Sequence, residues 1–497
     1  SPLEYRLMLK PHSIAVLLAL TLLMLTGCPT DPAPVPSTLN PTNGSLSGYY
    51  RVQVAVGDQL DPAAVTWVKF GDIMAYDIAP IGDGRIEVTV QGNPEPGDVV
   101  ITFGDADTTF TLGQAFTYNP PRVDGISTMV AMGASLTQGT QRGVPTKISV
   151  PKGPAKLLAD QLGLYFPLSI PIGEGFQEMG PERMGEPPYC APPPLNDFQI
   201  EQASAVIEEL TDPDTGEFYF ADLRIDPSLA THNFAVGGSR VADMLDGPAV
   251  GEVAMHFISH MAYDPSGTLF DPVKSSQMEL IEEMSPDLIV SVDLLGNDLV
   301  DGMINDADFS AEGMTPTDVF LDDITRAVDR LAATKATVFV ATLPSPTTLP
   351  FFHAKRARLA SEGLTENAEI VFKAIDEGVL AGNARLKEQA ALYDNVHVVD
   401  LEARVKEWAV SGVQVGDETL YIRQYGGLVG LDGLHFTDTA YALVANLFIE
   451  TMEEVLGTEI PKIDLAAIWA QDRERPDVLL EAGFDTTLCE DFSGTSP

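Results

Sequence analysis

Two hydrophobic rhythms meet at Pro120-Pro121, and one packed core cannot serve both. Before that point, short alternating runs are separated by Gly, Pro, Asn and Asp: Tyr50-Arg-Val-Gln-Val-Ala-Val56, Arg85-Ile-Glu-Val-Thr-Val90 and Asp98-Val-Val-Ile-Thr-Phe103. Successive side chains of a strand point to opposite faces, so each run buries one face and wets the other. With turn residues between the runs, the pattern over 37–119 predicts a small all-β antiparallel sandwich. Beyond the two prolines, apolar strand candidates at 127–131, 288–292, 337–341 and 396–399 alternate with helical stretches, 319–333 and 439–456 among them. Strands of that kind are covered on both faces, which predicts an α/β domain over 120–460 with a parallel sheet between helices. The long Pro- and Gly-rich connection at 141–230 reads as an insertion or lid, and 461–497 as a C-terminal tail.

A targeting pattern precedes both domains. Arg6, Lys10 and His12 stand before the apolar run Ile14-Ala-Val-Leu-Leu-Ala-Leu-Thr-Leu-Leu-Met-Leu25. That run is shorter than the ~20 residues that span a bilayer and suits a signal-peptide core. It ends in Leu25-Thr26-Gly27-Cys28, which resembles a bacterial lipobox. The resemblance implies that 1–28 is a lipoprotein signal and that Cys28 carries the lipid; an uncleaved hydrophobic anchor is the alternative. Met8 would be a natural initiator for this signal. The proline-rich 29–36 is a stiff linker. Either reading places the body outside the cytoplasm; the lipobox resemblance implies an extracytoplasmic bacterial lipoprotein held to the outer membrane or cell surface through its lipid anchor. Cys190 and Cys489 are then left in an oxidising compartment, where they form a disulfide or stand as two separate thiols. Lys and Arg total 29 against 72 Asp and Glu, a net charge of −43. Such a surface repels phosphate backbones, which argues against nucleic acid as a partner, and it suits salty water, where counter-ions screen the repulsion.

Four stretches carry candidate chemistry. Met132-Gly-Ala-Ser-Leu-Thr-Gln-Gly139 follows an apolar strand at once, so Ser135 would be presented on a tight strand-to-helix turn with its hydroxyl at the sheet's edge. Taken alone, a serine there is usually a helix cap. Leu431-Asp-Gly-Leu-His-Phe-Thr437 places Asp432 three residues before His435, at a spacing that lets a carboxylate orient an imidazole; Asp438 is a competing partner. Gly296-Asn-Asp298 ends a strand and offers the Asn297 amide as a donor. Asn233-Phe-Ala-Val-Gly-Gly-Ser239 puts Gly238 in a loop where a bare N–H approaches a substrate closely. One donor onto a developing oxyanion is worth ~3 kcal/mol, although Asn297 and Gly238 singly would also serve as turn formers. The other histidines have poorer settings. His397 lies in an apolar strand, His232 and His353 flank loops, and the His256/His260 pair has metal-like spacing but no third ligand in sequence, so packing or a surface role suits it better.

Taken in order, Gly-x-Ser-Leu, Asn-x-Ala-x-x-Gly, Gly-Asn-Asp and Asp-x-x-His resemble the four blocks of the SGNH (GDSL-like) hydrolase family over about 125–456, with Leu343-Pro344 and Thr437-Asp-Thr-Ala-Tyr441 as flanking support. The resemblance implies a three-layer α/β/α, flavodoxin-like hydrolase domain with Ser135 as nucleophile and His435 as base, assisted by Asp432. It assigns the oxyanion hole to the N–H groups of Ser135 and Gly238 and the side chain of Asn297. It further implies hydrolysis of acyl esters (lipids, acetylated glycans or small aliphatic esters) through an acyl-enzyme, with no cofactor and no metal. One departure is evident: the first block usually reads Gly-Asp-Ser-Leu, and Ala134 replaces the Asp, so hydrogen bonds that brace the oxyanion hole are expected to be missing. The rival readings are a surface glycan-binding adhesin and an acyltransferase with the same triad. The sandwich, through Asn40-Pro-Thr-Asn-Gly44, Val68-Lys-Phe-Gly71, Pro96-Gly97 and Ala115-Phe-Thr-Tyr118, resembles an IPT/TIG immunoglobulin-like domain.

Overall fold

The computed structural model describes residues 38–57, 59–171, 176–185, 195–248, 253–266, 273–300 and 313–488. Cys28, Cys190 and Cys489 lie outside the described residues, and with them the lipidation and disulfide expectations; so do the signal and the linker.

Residues 39–118 form three small sheets around a core of their own. Gly48–Ala55 pairs antiparallel with Arg85–Gln91, Val52 opposite Val88 and Val54 opposite Ile86. Those four alternate positions are fully buried, as period-two patterning requires. Phe116 sits among them with its ring edge-on to Phe70 and to Tyr118, each at 5.2 Å. The run at 98–103 is not one strand. Gly97–Val99 pairs with Phe116–Tyr118 while Ile101–Gly104 pairs with Trp67–Phe70, and the chain passes from one sheet to the other at the exposed Val100. Nor is the sandwich wholly antiparallel, because Asn43–Gly44 lies parallel to 117–118.

The second domain is built on a parallel sheet of β1 (Met129–Ala131), β2 (Leu288–Ser291), β3 (Thr337–Ala341) and β4 (Val396–Val399), adjacent in that order. On the free side of β1, Asn233 bridges Ala131 in parallel, and Ala131 exchanges backbone hydrogen bonds of 2.9 Å with His232 and Phe234. The 232–234 segment thus occupies the place of a fifth strand, and the order along the sheet reverses at β1. In open α/β sheets that reversal opens a crevice at the carboxyl ends of the strands. Alternate residues of each strand face opposite cores: Ala131, Val290, Phe339 and Val399 one, Val130, Ile289, Val338 and Val340 the other. Helix α3 (Thr317–Ala333) buries Phe320, Ile324, Ala327, Val328 and Leu331 on the second face, a single stripe at helical spacing, and α4 (Thr365–Ala390) lies beside it. Helix α5 (Asp438–Leu456) covers the first face and is buried almost continuously from Asp438 to Ile449.

Two expected boundaries shift. Helix α2 (Pro154–Leu162) falls within the stretch read as an insertion, yet Ala155, Leu158, Ala159 and Leu162 are fully buried against α5 and the sheet. It is a member of the helical layer rather than a lid. The C-terminal stretch also packs: Ile463 and Trp469 join the same core, and the Asn446 amide bonds the Ile463 backbone in both directions, at 3.0 and 2.8 Å.

Candidate active site

Ser135 opens the four-residue helix α1 (Ser135–Gln138) directly beyond β1. The turn is possible because of Gly133. Its φ of +147° is foreign to residues with a side chain, and a Cβ there would sit 2.4 Å from Thr137 Oγ1 and 2.6 Å from Asp293 Oδ1. Gln277 clasps the same glycine, donating Nε2 to its carbonyl at 3.0 Å and accepting its N–H at 2.9 Å. The bracing that Ala134 cannot provide comes from elsewhere. Asp293, just beyond β2, accepts the N–H groups of Ala134 at 2.9 Å, Leu136 at 2.7 Å and Thr137 at 3.2 Å, and the Thr137 hydroxyl at 2.6 Å. Burial pushes its pKa up, against the pull of the Thr137 hydroxyl and the three amides. The expectation of missing hydrogen bonds is therefore corrected.

Across the cleft, Asp432 and His435 share a tight loop before α5. Asp432 Oδ2 lies 2.6 Å from His435 Nδ1, while Oδ1 accepts the N–H groups of His435 at 2.9 Å and Leu434 at 3.0 Å. Burial works to raise the Asp432 pKa, but the charge and hydrogen bonds of His435 outweigh it and hold the carboxyl below the usual range. An ionised Asp432 keeps the ring proton on Nδ1 and leaves Nε2 as the acceptor. Asp438, the competing partner, is engaged elsewhere, by Gln141 Nε2 at 2.7 Å and by the Lys152 ammonium.

Ser135, Asn297 and His435 line one narrow cleft of about 70 Å³, whose other walls include Leu136, Val300, Leu343, Leu349, Leu434 and Phe436. Asn297 donates Nδ2 to the Ser239 carbonyl at 3.0 Å, which fixes the plane of its amide. Gly238 stands at the exposed tip of the turn Val236–Ser239 with φ +87°. The neighbouring Gly237 N–H is taken by Gln138 Oε1 at 3.2 Å, and a Cβ on Gly237 would lie 3.6 Å from Ser135 Cβ, so this turn abuts α1. Asn233 donates to the Thr137 carbonyl at 3.2 Å and ties the two segments together.

Among the described residues, His232, His260, His353 and His397 pack against neighbouring side chains or backbone. His232 lies edge-on to Tyr165 and Phe166, and burial lowers its pKa to about 4. The ring of His260 is fully buried and stacks on Phe220 at 4.7 Å, and His397 lies 5.3 Å from Phe339. His353 is also held below its ordinary pKa by burial and by the charge of Arg356.

Two contributors escaped the sequence reading. Asp293 had a signal, an acid at the end of an apolar strand four residues before Asn297. The other is the stretch 472–474. Asp472 accepts the N–H of Thr439 at 2.8 Å and its hydroxyl at 2.6 Å, and Glu474 pairs with Arg142 at 2.6 Å, so the C-terminal stretch joins the start of α5 to the loop after α1. Nothing local in sequence announces that contact.

The family model described as GDSL-like Lipase/Acylhydrolase matches residues 129–448. Among solved structures, the chain is similar to LAE5, an alpha/beta hydrolase enzyme from the metagenome of Lake Arreo, Spain, at 11% identity over 67% of this chain and 96% of that one, with a TM-score of 0.31. It is also similar to Axe2, an acetylxylan esterase from Geobacillus stearothermophilus, at 11% identity over 68% of this chain and 98% of that one, with a TM-score of 0.29. A search of curated proteins finds no match.

Proposed function

The chain belongs to the GDSL-like lipase/acylhydrolase family, and from that premise we propose that it is a serine ester hydrolase working through an acyl-enzyme on Ser135. The observation that carries the reading is the 2.6 Å bond from His435 Nδ1 to Asp432 Oδ2, with His435 lining a cleft that Ser135 also lines. His435 Nε2 takes the proton of the Ser135 hydroxyl as the oxygen attacks the ester carbonyl. The oxyanion that forms is met by the Ser135 N–H, the Asn297 amide and the Gly238 N–H. His435 then gives its proton to the leaving alcohol, and the acyl group remains on Ser135. Water, deprotonated by His435, attacks the acyl-enzyme; as the bond from the acyl carbon to Ser135 Oγ breaks, His435 returns the proton to Ser135 and the carboxylic acid leaves. Asp432 holds the ring and stabilises the imidazolium in both halves. The apolar walls of Leu343, Leu349, Leu434 and Val300 suit an ester with an uncharged hydrocarbon part.

Turnover of p-nitrophenyl esters across a chain-length panel tests this. Hydrolysis that disappears in Ser135→Ala is expected; a wild-type protein inert to the whole panel would sink the proposal. The glycan-binding alternative draws on Ala134; the bond from the Ala134 N–H to Asp293 favours the enzyme reading, because the turn is braced without an acid at 134.

The proposal extends to the chain's surroundings. Cys28 carries a lipid, the hydrolase faces the extracytoplasmic side, and the small sandwich is an Ig-like spacer or binding module. The supports are the lipobox-like Leu25-Thr-Gly-Cys28 and the sandwich's separate core. Release of Cys28→Ala from the membrane fraction is the expected outcome, and retention there would count against the lipid.

A further inference from the structure

Among the described residues, Asp293 is the carboxylate whose acceptor capacity is directed at the nucleophile turn. It takes the amides of residues 134, 136 and 137 and passes over that of 135. Its contacts lie on both sides of Ser135, so the Ser135 backbone is held while its N–H is left for another acceptor. The Thr137 hydroxyl completes the clamp, accepting the Val292 N–H at 3.0 Å and donating to Asp293, so the end of β2 and the first turn of α1 move as one piece. Asn297, four residues after Asp293, is carried by the same strand end. A buried anion beside a developing oxyanion is unfavourable in itself; here four donors meet its charge, and positioning is what it returns.

We propose that Asp293 is a positioning residue of the proposed esterase, fixing the Ser135 hydroxyl and N–H relative to Asn297 and so setting the turnover rate without touching substrate. This role rests on the serine-hydrolase reading. Sub-ångström placement of the attacking group and the oxyanion donors governs rate, and a displacement near 1 Å costs about 100-fold.

The test compares wild type, Asp293→Asn and Thr137→Val. Reactive sites are counted by complete labelling with a fluorophosphonate, and kcat and KM are measured per labelled site on a p-nitrophenyl ester. For Asp293→Asn the expected result is about a 10–100-fold lower kcat per labelled site, with KM within about threefold of wild type and an unmoved pH inflection, since the Asp432–His435 pair is intact. Thr137→Val, which removes one contact of the clamp, should fall between the two. Should Asp293→Asn fail to fold, Thr137→Val alone decides. Fewer labelled sites with unchanged kcat per site would reduce Asp293 to a stability role and overturn the proposal. A wild type that neither labels nor turns over would instead overturn the serine-hydrolase reading, and this role with it.

Discussion

Gly133 shows how narrowly single residues define the turn that carries Ser135. A methyl group there meets Thr137 Oγ1 at 2.4 Å and Asp293 Oδ1 at 2.6 Å, at a φ of +147°. Gly133→Ala is therefore expected to lose about 2–4 kcal/mol of stability by urea unfolding, together with most activity. Asp432, as the proposed partner of His435, makes a second prediction. Asp432→Asn keeps the shape of the loop but no longer enforces the Nδ1–H tautomer, so kcat should drop about 10³–10⁴-fold while folding is retained. A drop below tenfold would show that Asp432 does not govern the ring. The contact of Asp432 with His435 was legible in the sequence because they stand three positions apart within one loop. Asp293 was not, because its partners lie 156–159 positions away in the chain and only the parallel pairing of β1 with β2 brings them together.

Strands and helices follow from pattern where one rule decides. The apolar runs at 337–341 and 396–399 are strands over those residues, and α3 and α5 begin within two residues of the expected starts. Pattern failed where a tertiary choice intervened. The alternation at 98–103 is intact locally, and only the geometry of two packed sheets makes the chain cross between them at Val100. Likewise the proline-rich surroundings of α2 concealed a helix that belongs to the core. At this scale Asp298 provides a pH test. It accepts the Val241 N–H at 2.9 Å, at the start of Val241–Asp246, and the Thr315 hydroxyl at 2.8 Å; burial raises its pKa from 3.8 to about 6. A raised carboxyl pKa means that the folded state holds the proton more tightly than the unfolded chain. The contribution is complete below about pH 4 and fades as pH climbs through 6. Relative to Asp298→Asn, which has no proton to lose, wild type should lose on the order of 2–3 kcal/mol between pH 4 and pH 7. A pH-independent difference would place Asp298 in a solvated setting.

The whole molecule carries a net charge of −43, and its parts are held together against that repulsion. The sandwich meets the hydrolase domain where Tyr49 Oη accepts the Leu168 N–H at 2.8 Å and Ser45 donates to Asp160 of α2 at 2.9 Å. Surface ion pairs such as Arg326–Asp246 weaken in salt, but each is worth at most about 1 kcal/mol, whereas screening relieves repulsion across the entire surface. The thermal midpoint should therefore rise as sodium chloride is increased from about 0.05 M to 1 M, near the range where the Debye length shrinks from over 10 Å to 3 Å. A falling midpoint would mean that local pairs dominate. Charge and domain order were readable from composition and rhythm; the contacts between domains, made by single polar side chains, were not. The catalytic assignment itself is tested most directly by peptide mass mapping after exposure to a fluorophosphonate, in wild type and in His435→Ala. A single adduct on Ser135 in the wild type, formed far more slowly in the variant, is the expected result. An adduct on another residue, or labelling of Ser135 that ignores the loss of His435, would contradict it.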